Sequence, residues 1–165
     1  MAEWPEFNPR PIIQLLTARG VDFVVIGGYA AVLHGSPRIT QDLDLCYATD
    51  RPNLHVLGRA LTDMHARPAE IDEDVPFVAD ERTLARVRLL TLITDLGKLD
   101  VMTSPAGAPA YELLRNRADR FELDGVLVRV AAVRDLLAMK RAAGRKKDLA
   151  DVEELEAIQR LAGET

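Results

Sequence analysis

Two aspartates, Asp42 and Asp44, are separated by a single leucine at the start of an apolar stretch. On an extended strand, residues two apart point to the same face, so both carboxylates face one side while Leu43 and Leu45 enter a core. Two such neighbouring carboxylates repel each other unless a cation lies between them. Mg²⁺ prefers oxygen ligands from one or two carboxylates together with substrate phosphates. The pair therefore predicts a magnesium site for phosphate chemistry.

A glycine pair, Gly27 and Gly28, directly follows the apolar run 21–26. Because glycine has no Cβ, a phosphate can approach the backbone there, and N–H groups at the start of the next helix can bind it. We expect that helix over 29–34, closed by His34 in a structural role. Glycines and aspartates then share one strand–helix–strand unit, which suits nucleotide chemistry.

A third acid, Asp100, lies between Leu99 and Val101 in a segment that the pattern predicts as a strand. A carboxylate in such surroundings is costly to bury without a partner. If Asp100 converges with Asp42 and Asp44, the three carboxylates form a two-metal clamp for in-line displacement at phosphorus. The alternative for an acid pair taken alone is a solvated strand face.

Positive charge is concentrated near the end of the chain. Residues 134–151, the positive island, carry six basic and three acidic side chains, whereas the whole chain has a formal charge of −5. Such an island in an acidic protein indicates a polyanion site. Lys140, on a predicted helix, is the candidate contact to the β- and γ-phosphates of a nucleotide. Its alternative role is a solvated surface lysine.

Two further polar residues, Arg38 and Thr40, precede the aspartate pair. Arg38 could pair with Asp42 or a neighbouring acid, or it could hold a phosphate at the glycine pair. Thr40 could orient the following strand through a local side-chain hydrogen bond.

The order of elements predicts an α/β (α+β) fold with a mixed sheet flanked by helices and with C-terminal helices. We expect one domain, 1–165, with a core at about 21–130 and a helical part at about 131–165. An Asp-Gly pair predicts a hairpin at 124–125, and 65–76 is expected to be a loop. The predicted helices are 11–16, 29–34, 50–64, 80–86, 110–117, 133–143 and 147–161, and the predicted strands are 21–26, 43–47, 89–94, 99–102, 121–123 and 126–130.

A single cysteine, Cys46, cannot form an internal disulfide, which fits a reducing compartment. No stretch approaches the length that spans a membrane, and the first ten residues do not read as a signal peptide. We therefore expect a cytoplasmic protein without membrane partners.

The segment 27–45, GGYAAVLHGSPRITQDLDL, resembles the signature of the DNA-polymerase-β-like nucleotidyltransferase superfamily. Within it, the chain is most similar to AbiEii-type nucleotidyltransferase toxins. Their first motif, Arg-x-Thr-x-Asp-x-Asp, is matched by 38–44, and their second, a helical Lys followed by an Arg-rich stretch ending in Asp, by 140–148. Many superfamily members have Gly-Ser where this chain has Gly-Gly, so a serine contact to phosphate is absent. The resemblance covers about 21–151.

This resemblance implies a minimal nucleotidyltransferase fold and transfer of a nucleotidyl group from an NTP to a hydroxyl acceptor. It implies two Mg²⁺ ions, with Mn²⁺ as an alternative, held by Asp42 and Asp44. It makes Asp100 the third carboxylate, which also helps activate the attacking hydroxyl. The nucleotide-binding residues that we expect are Gly27, Gly28, Arg38, Thr40, Lys140, Lys147 and Asp148.

The AbiEii-type resemblance further implies a toxin that modifies tRNA or another macromolecule and that has an antitoxin protein partner. The positive island favours such an acceptor. One alternative is a small-molecule nucleotidyltransferase resembling the lincosamide or aminoglycoside resistance enzymes, for which the acidic stretch 70–74 could attract a cationic antibiotic. Another is a catalytically inactive nucleotide-binding or antitoxin module, against which the three retained acids argue.

Overall fold

The computed structural model describes residues 7–71 and 77–163. The helices within these ranges are α1 (Arg10–Ala18), α2 (Gly27–Leu33), α3 (Arg51–Asp63), α4 (Glu81–Ala85), α5 (Tyr111–Arg117), α6 (Val133–Ala143) and α7 (Lys146–Gly163). The strands are β1 (Phe23–Ile26), β2 (Leu43–Tyr47), β3 (Arg67–Pro68), β4 (Leu89–Thr94), β5 (Gly97–Met102), β6 (Asp119–Leu123) and β7 (Val126–Val130).

These strands form a mixed sheet in the order β3-β4-β5-β2-β1-β7-β6. Strand β2 runs parallel to β5, and β1 runs parallel to β7. The remaining neighbours are antiparallel. The mixed sheet with its helices confirms the predicted α/β (α+β) architecture. The order also places β5, which carries Asp100, directly beside β2, which carries Asp44.

The centre of the sheet is anchored by apolar packing. Strand β1 is buried along its whole length, since its Phe-Val-Val-Ile sequence offers apolar side chains to both faces. Helix α1 adds Ile12, Ile13 and Leu16, which are buried at helical spacing. This packing fixes β1 and its neighbour β2, which carries Asp44.

Local capping and turn signals act where the sequence places them. The Asp50 side chain accepts the N–H of Asn53 and caps α3. Gly144 ends α6 with a left-handed φ of 62°. Asp124 and Gly125 both have positive φ, 52° and 83°, in the turn that joins β6 to β7. The predicted hairpin is therefore confirmed.

Several element boundaries differ from the sequence prediction by one or two residues, among them the starts of α2 and β1. Helix α2 begins at Gly27 rather than at Tyr29, so the glycine pair forms the first helical turn instead of preceding it. Strand β1 begins at Phe23, two residues later than predicted. Both shifts are of the size expected at element ends, where the pattern of apolar residues constrains the chain least.

The segment 65–76, predicted as a loop, contains the strand β3, which pairs with β4. A strand of two residues is too short to show the alternation by which strands are recognised in a sequence. Asp72, Glu73 and Asp74, from the predicted acidic stretch, lie outside the described residues. Among the helices that the structure describes, none is long and apolar enough to cross a membrane.

Candidate active site

The register between β2 and β5 sets the geometry of the acids. Asp44 lies directly opposite Asp100, and Leu43 lies opposite Leu99. Because side chains alternate along each strand, Asp44 and Asp100 point to the same face of the sheet. Like charges in directly opposed positions of neighbouring strands are destabilising. The fold therefore holds two carboxylates together at a point where a cation would relieve their repulsion.

The environment of Asp44 reflects this crowding. Burial raises the pKa of Asp44 to about 7, and the charges of Asp100 and Asp42 add to the rise, while Lys140 opposes it. The Oδ1 atom of Asp100 is buried and has no hydrogen-bond partner. An unpartnered buried carboxylate oxygen is costly in a folded protein. Carboxylate oxygens whose negative charge is not balanced by nearby positive charge fit a hard divalent cation such as Mg²⁺.

Asp42, the remaining predicted metal ligand, contacts a lysine instead of the other two acids. Its Oδ1 atom is 3.1 Å from Nζ of Lys98, and the hydrogen bond to Asp42 is the main cause that raises the pKa of Lys98. Within residues 7–71 and 77–163, no group of three His, Cys, Asp or Glu side chains is arranged to hold a metal ion. The structure thus brings together Asp44 and Asp100, whereas Asp42 forms an ion pair with Lys98.

Steric contacts that the sequence did not reveal explain why glycines occupy positions 27 and 28. A Cβ on Gly27 would lie 2.1 Å from Oδ2 of Asp44, and Gly27 has a φ of +72°. A Cβ on Gly28 would lie 3.0 Å from Oγ1 of Thr40. Glycine is required at 27 because any side chain would occupy the position of the Asp44 carboxylate. Phosphate binding by the two glycines stays a prediction.

Replacing Gly27 by Ala is expected to destabilise the protein by about 1–3 kcal/mol and to displace Asp44, because strain at positive φ adds to a direct clash. Gly20→Ala is the matched control, since Gly20 has a similar φ of +76° but open space around the position of a Cβ. Urea unfolding measures both variants. Equal losses in the two would show that only the backbone conformation, and not the contact with Asp44, requires glycine.

A pocket of about 220 Å³ opens beside the acids. It brings together most of the predicted site residues, while Gly27 and Asp100 lie outside its lining. A larger cavity, about 710 Å³, lies between α3 and residues 77–82 and contains none of them. We place the chemistry in the smaller pocket, because it holds Asp42 and Asp44 together with cations. Its lining is Gly28, Ala31, Ser36, Arg38, Ile39, Thr40, Asp42, Asp44, Lys140, Arg145, Lys147, Asp148 and Asp151.

The basic side chains of this pocket are held by two buried acids on α7. The Nζ atom of Lys140 lies 2.9 Å from Oδ2 of Asp151 and 3.4 Å from Oδ1 of Asp148. Arg145 binds Asp148 through Nε at 2.9 Å, and Arg38 forms an ion pair with Asp151. The two acids are three residues apart, which places them on one face of the helix. They fix the positions of three cations around the pocket.

Asp148, which the sequence suggested as a nucleotide contact, is turned toward cations of the protein itself. It is only 1% exposed, and its carboxylate is directed at Arg145 and Lys140. Burial acts to raise the pKa of Asp148, but the hydrogen bonds from Arg145 and the charge of Lys140 outweigh it and lower the pKa. An ionised carboxylate would repel a phosphate. Its observed contacts are those of a residue that positions cations.

Other predicted residues take the local contacts expected of them. Arg38 pairs with an acid, and that acid is Asp151. The Thr40 hydroxyl donates to the backbone oxygen of Asp42 at 3.3 Å and accepts its N–H at 3.4 Å, which holds the chain at the entry to β2. His34 lies 2.9 Å from the backbone oxygen of Ala131 at the end of α2, in a structural position.

Sequence reasoning missed two residues of this site. Asp151 was counted only as part of the charge of the positive island, although its spacing from Asp148 on a helix is a detectable signal. Lys98 was left outside the predicted strand 99–102, although it lies two residues before Asp100 and so shares its strand face. The positive island itself is partly neutralised, because Lys140, Arg141 and Arg145 are paired with acids.

The sequence matches, over residues 12–164, the family described as "Nucleotidyltransferase of unknown function (DUF6036)". No curated protein sequence matches the chain. The fold is similar to the lincomycin-bound crystal structure of lincosamide antibiotic adenylyltransferase LnuA, with a TM-score of 0.60 and 16% identity over 90% of this chain and 94% of that chain. It is also similar to ANT(2'')-Ia in complex with adenylyl-2''-tobramycin (TM-score 0.56, 14% identity, 92% and 91% of the two chains).

A third similar structure is an antigenic nucleotidyltransferase-like protein from Paracoccidioides brasiliensis, with a TM-score of 0.54 and 21% identity over 92% of this chain and 73% of that chain. At such identities, these three likenesses show the fold alone. The family match supports the superfamily that the motifs resemble, while the closer resemblance to AbiEii-type toxins stays a prediction.

Proposed function

The chain belongs to this nucleotidyltransferase family, and on that premise we propose that its active site is the Asp44–Asp100 pair with the adjoining pocket. The reaction is transfer of a nucleotidyl group from an NTP to an acceptor hydroxyl. The acceptor oxygen bonds to the α-phosphorus, the bond from the α-phosphorus to the bridging oxygen breaks, and pyrophosphate leaves with that oxygen. The observation that carries the proposal is the register that sets two carboxylates opposite each other beside a pocket lined with cations.

Asp44 and Asp100 would hold the divalent cation, Mg²⁺ or Mn²⁺, and Asp42 would join them only by leaving its ion pair with Lys98. The buried, unpartnered oxygen of Asp100 and the raised pKa of Asp44 are the observations that fit such a cation. When bound, one or two such ions neutralise the charge that develops on the phosphates during displacement.

The pocket cations act on the triphosphate. Lys140, Lys147 and Arg38 line the pocket next to the acids, so their charges can bind the β- and γ-phosphates and orient the α-phosphorus. Thr40 keeps Asp42 at the pocket edge through its two backbone hydrogen bonds. The carboxylate of Asp100, set beside Asp44 by the strand register, accepts the proton of the attacking hydroxyl.

Replacing Asp100 by Asn is expected to lower kcat by about 10²–10⁴-fold, the usual contribution of a positioned base, with little change in the Kd for NTP. Single-turnover kinetics and equilibrium NTP binding separate the two effects. Asp95→Asn is the matched control, because it removes an exposed acid from the same β4–β5 hairpin. A large loss of NTP affinity at unchanged turnover would place Asp100 in ground-state binding instead.

For the acceptor, we propose tRNA or another macromolecule, with the protein acting in the cytoplasm as the toxin of a toxin–antitoxin pair. The motifs shared with AbiEii-type toxins support this. The positive island borders the pocket through Lys140, Arg145 and Lys147, and a polyanionic acceptor requires basic side chains along its backbone.

A small hydroxyl-bearing molecule is the second candidate acceptor. The likeness in fold to a lincosamide adenylyltransferase and to ANT(2'')-Ia favours it. The ion pairs of Lys140, Arg141 and Arg145 favour it too, because they reduce the net charge that the island can offer to a nucleic acid. A catalytically inactive antitoxin module is disfavoured, since Asp44, Asp100 and Lys140 are all in place.

Expression in cells separates these acceptors. A toxin that modifies tRNA stops growth when expressed alone, and tRNA from those cells carries added nucleotides, whereas the Asp42→Asn variant permits growth. A small-molecule enzyme leaves growth unchanged and raises tolerance of a hydroxyl-bearing antibiotic. Normal growth with abundant soluble protein and unmodified tRNA would overturn the toxin proposal.

A further inference from the structure

We propose that Lys98 is the internal counter-cation of the carboxylate cluster and that a divalent cation must displace it from Asp42 in order to bind. This inference rests on the proposed function, because it concerns the cation that the site would hold. It assigns a role to a side chain that neither the motifs nor the mechanism above uses.

The register of β2 against β5 places Lys98 beside Asp42. Asp44 faces Asp100, and Leu43 faces Leu99, so the next position along the two strands sets Asp42 level with Lys98. The observed distance of 3.1 Å between Asp42 Oδ1 and Lys98 Nζ agrees with that register. The Asp44–Asp100 pair therefore carries two negative charges, whereas the Asp42–Lys98 pair carries one negative and one positive charge. Opposite charges stabilise such a pair and like charges destabilise it.

Lys98 lies near the other two acids as well as near its ion-pair partner Asp42. Lys98 and Asp100 are two residues apart on β5, so they share a face of the sheet, and Asp44 lies opposite Asp100 on that face. One ammonium group thus contacts Asp42 and lies on the same face as the other two acids that the proposed cation would use.

Lys98 and a divalent cation compete for the same oxygens. An ammonium that contacts Asp42 would lie close to a dication on the same carboxylate, and the two positive charges would repel each other. Lys98 can yield, because its side chain is 47% exposed and its flexible stem can carry the charge into water. The metal-free protein is then partly neutralised by its own lysine, and free divalent ions bind weakly. A bound nucleotide, whose phosphates add negative charge, favours replacement of the Lys98 ammonium by the divalent cation.

Binding of Mn²⁺ alone, without nucleotide, tests the displacement. We expect Lys98→Met and Lys98→Gln to bind Mn²⁺ about tenfold more tightly than the wild type, measured by calorimetry or by the loss of the free-ion electron paramagnetic resonance signal. Arg120→Met is the matched control. It removes one positive charge from the exposed face of β6, at the opposite edge of the sheet from β3, and should leave the Kd unchanged.

Thermal unfolding supplies a second readout. In a chelator, Lys98→Met should have a lower melting temperature than the wild type, because the acids lose their counter-ion. Saturating Mn²⁺ should reduce this difference in melting temperature. Unchanged or weaker Mn²⁺ binding in both Lys98 variants would overturn the displacement while leaving the metal site in place. Failure of the wild type and of both variants to bind Mn²⁺, or equal Mn²⁺ binding by Asp44→Asn, would overturn the metal site of the proposed function as well.

Discussion

Replacing Asp44 by Asn is expected to reduce nucleotidyl transfer by about 10³-fold while making the metal-free protein more stable. Activity falls because the variant loses a carboxylate that would hold the cation and stabilise charge in the transition state. Stability rises because the amide cannot repel Asp100 across the β2–β5 pair. A structural acid would show the opposite pattern, since its loss would lower stability.

The gain in stability has a defined pH dependence. Burial and Asp100 raise the pKa of Asp44 from 3.8 to about 7, so the folded state binds this proton more tightly than the unfolded state does. Wild-type stability therefore decreases as pH rises through that window and then levels off. The amide introduced by Asp44→Asn does not titrate, so the advantage of the variant should be small near pH 4 and reach about 2 kcal/mol above pH 7.

Urea unfolding in a chelator between pH 4 and pH 8 checks this dependence. Glu122→Gln, which removes an exposed acid from β6, is the control and should show no comparable trend. If Asp44→Asn were less stable than the wild type at pH 8 in chelator, repulsion between the carboxylates would not describe this site.

Lys140→Met is expected to have two separable effects. The Kd for NTP should rise about tenfold to a hundredfold, because a charge-assisted contact to phosphate is lost. The free energy of unfolding should also fall by about 1–3 kcal/mol, since Asp148 and Asp151 are buried and both contact Lys140. The loss stays below that of an isolated buried pair because Asp148 keeps Arg145 and Asp151 keeps Arg38.

The expected loss of stability distinguishes Lys140 from a solvated surface lysine, the alternative role that the sequence left open. The structure gives it two buried partners instead. Lys146→Met, an exposed cation at the start of α7, is the control for both measurements. Unchanged NTP affinity together with reduced stability would mean that Lys140 only neutralises the two acids.

Much of the fold could be predicted because its signals are local. Asp50 before a helical pattern and Asp124-Gly125 between two apolar runs determine their structures through short-range hydrogen bonds and backbone preferences. Asp44 and Asp100 could be singled out from the sequence, since an acid in an apolar strand is conspicuous, and their role in catalysis stays a prediction. Their convergence could be stated only as a condition, because it depends on which strands become neighbours and in what register.

Lys98 shows this limit most clearly. Its position two residues before Asp100 was visible in the sequence, but its partner Asp42 is brought level with it only by the pairing of β2 with β5. The burial of Asp148 was not foreseen for a related reason, and its role as a nucleotide contact stays a prediction. A charged residue in a basic stretch reads as exposed, whereas the packing of α7 buries it under Lys140.

The most direct test of the central claim follows the phosphates of the donor. Wild-type protein and Asp44→Asn are incubated with Mg²⁺, total tRNA or a small polyhydroxylated acceptor, and each NTP labelled on either the α- or the γ-phosphate. The account predicts that the α-label becomes attached to an acceptor, that the γ-label is released as pyrophosphate, and that Asp44→Asn does neither. Transfer of the γ-label to the acceptor, or attachment of the α-label at the wild-type rate by Asp44→Asn, would contradict nucleotidyl transfer at this site.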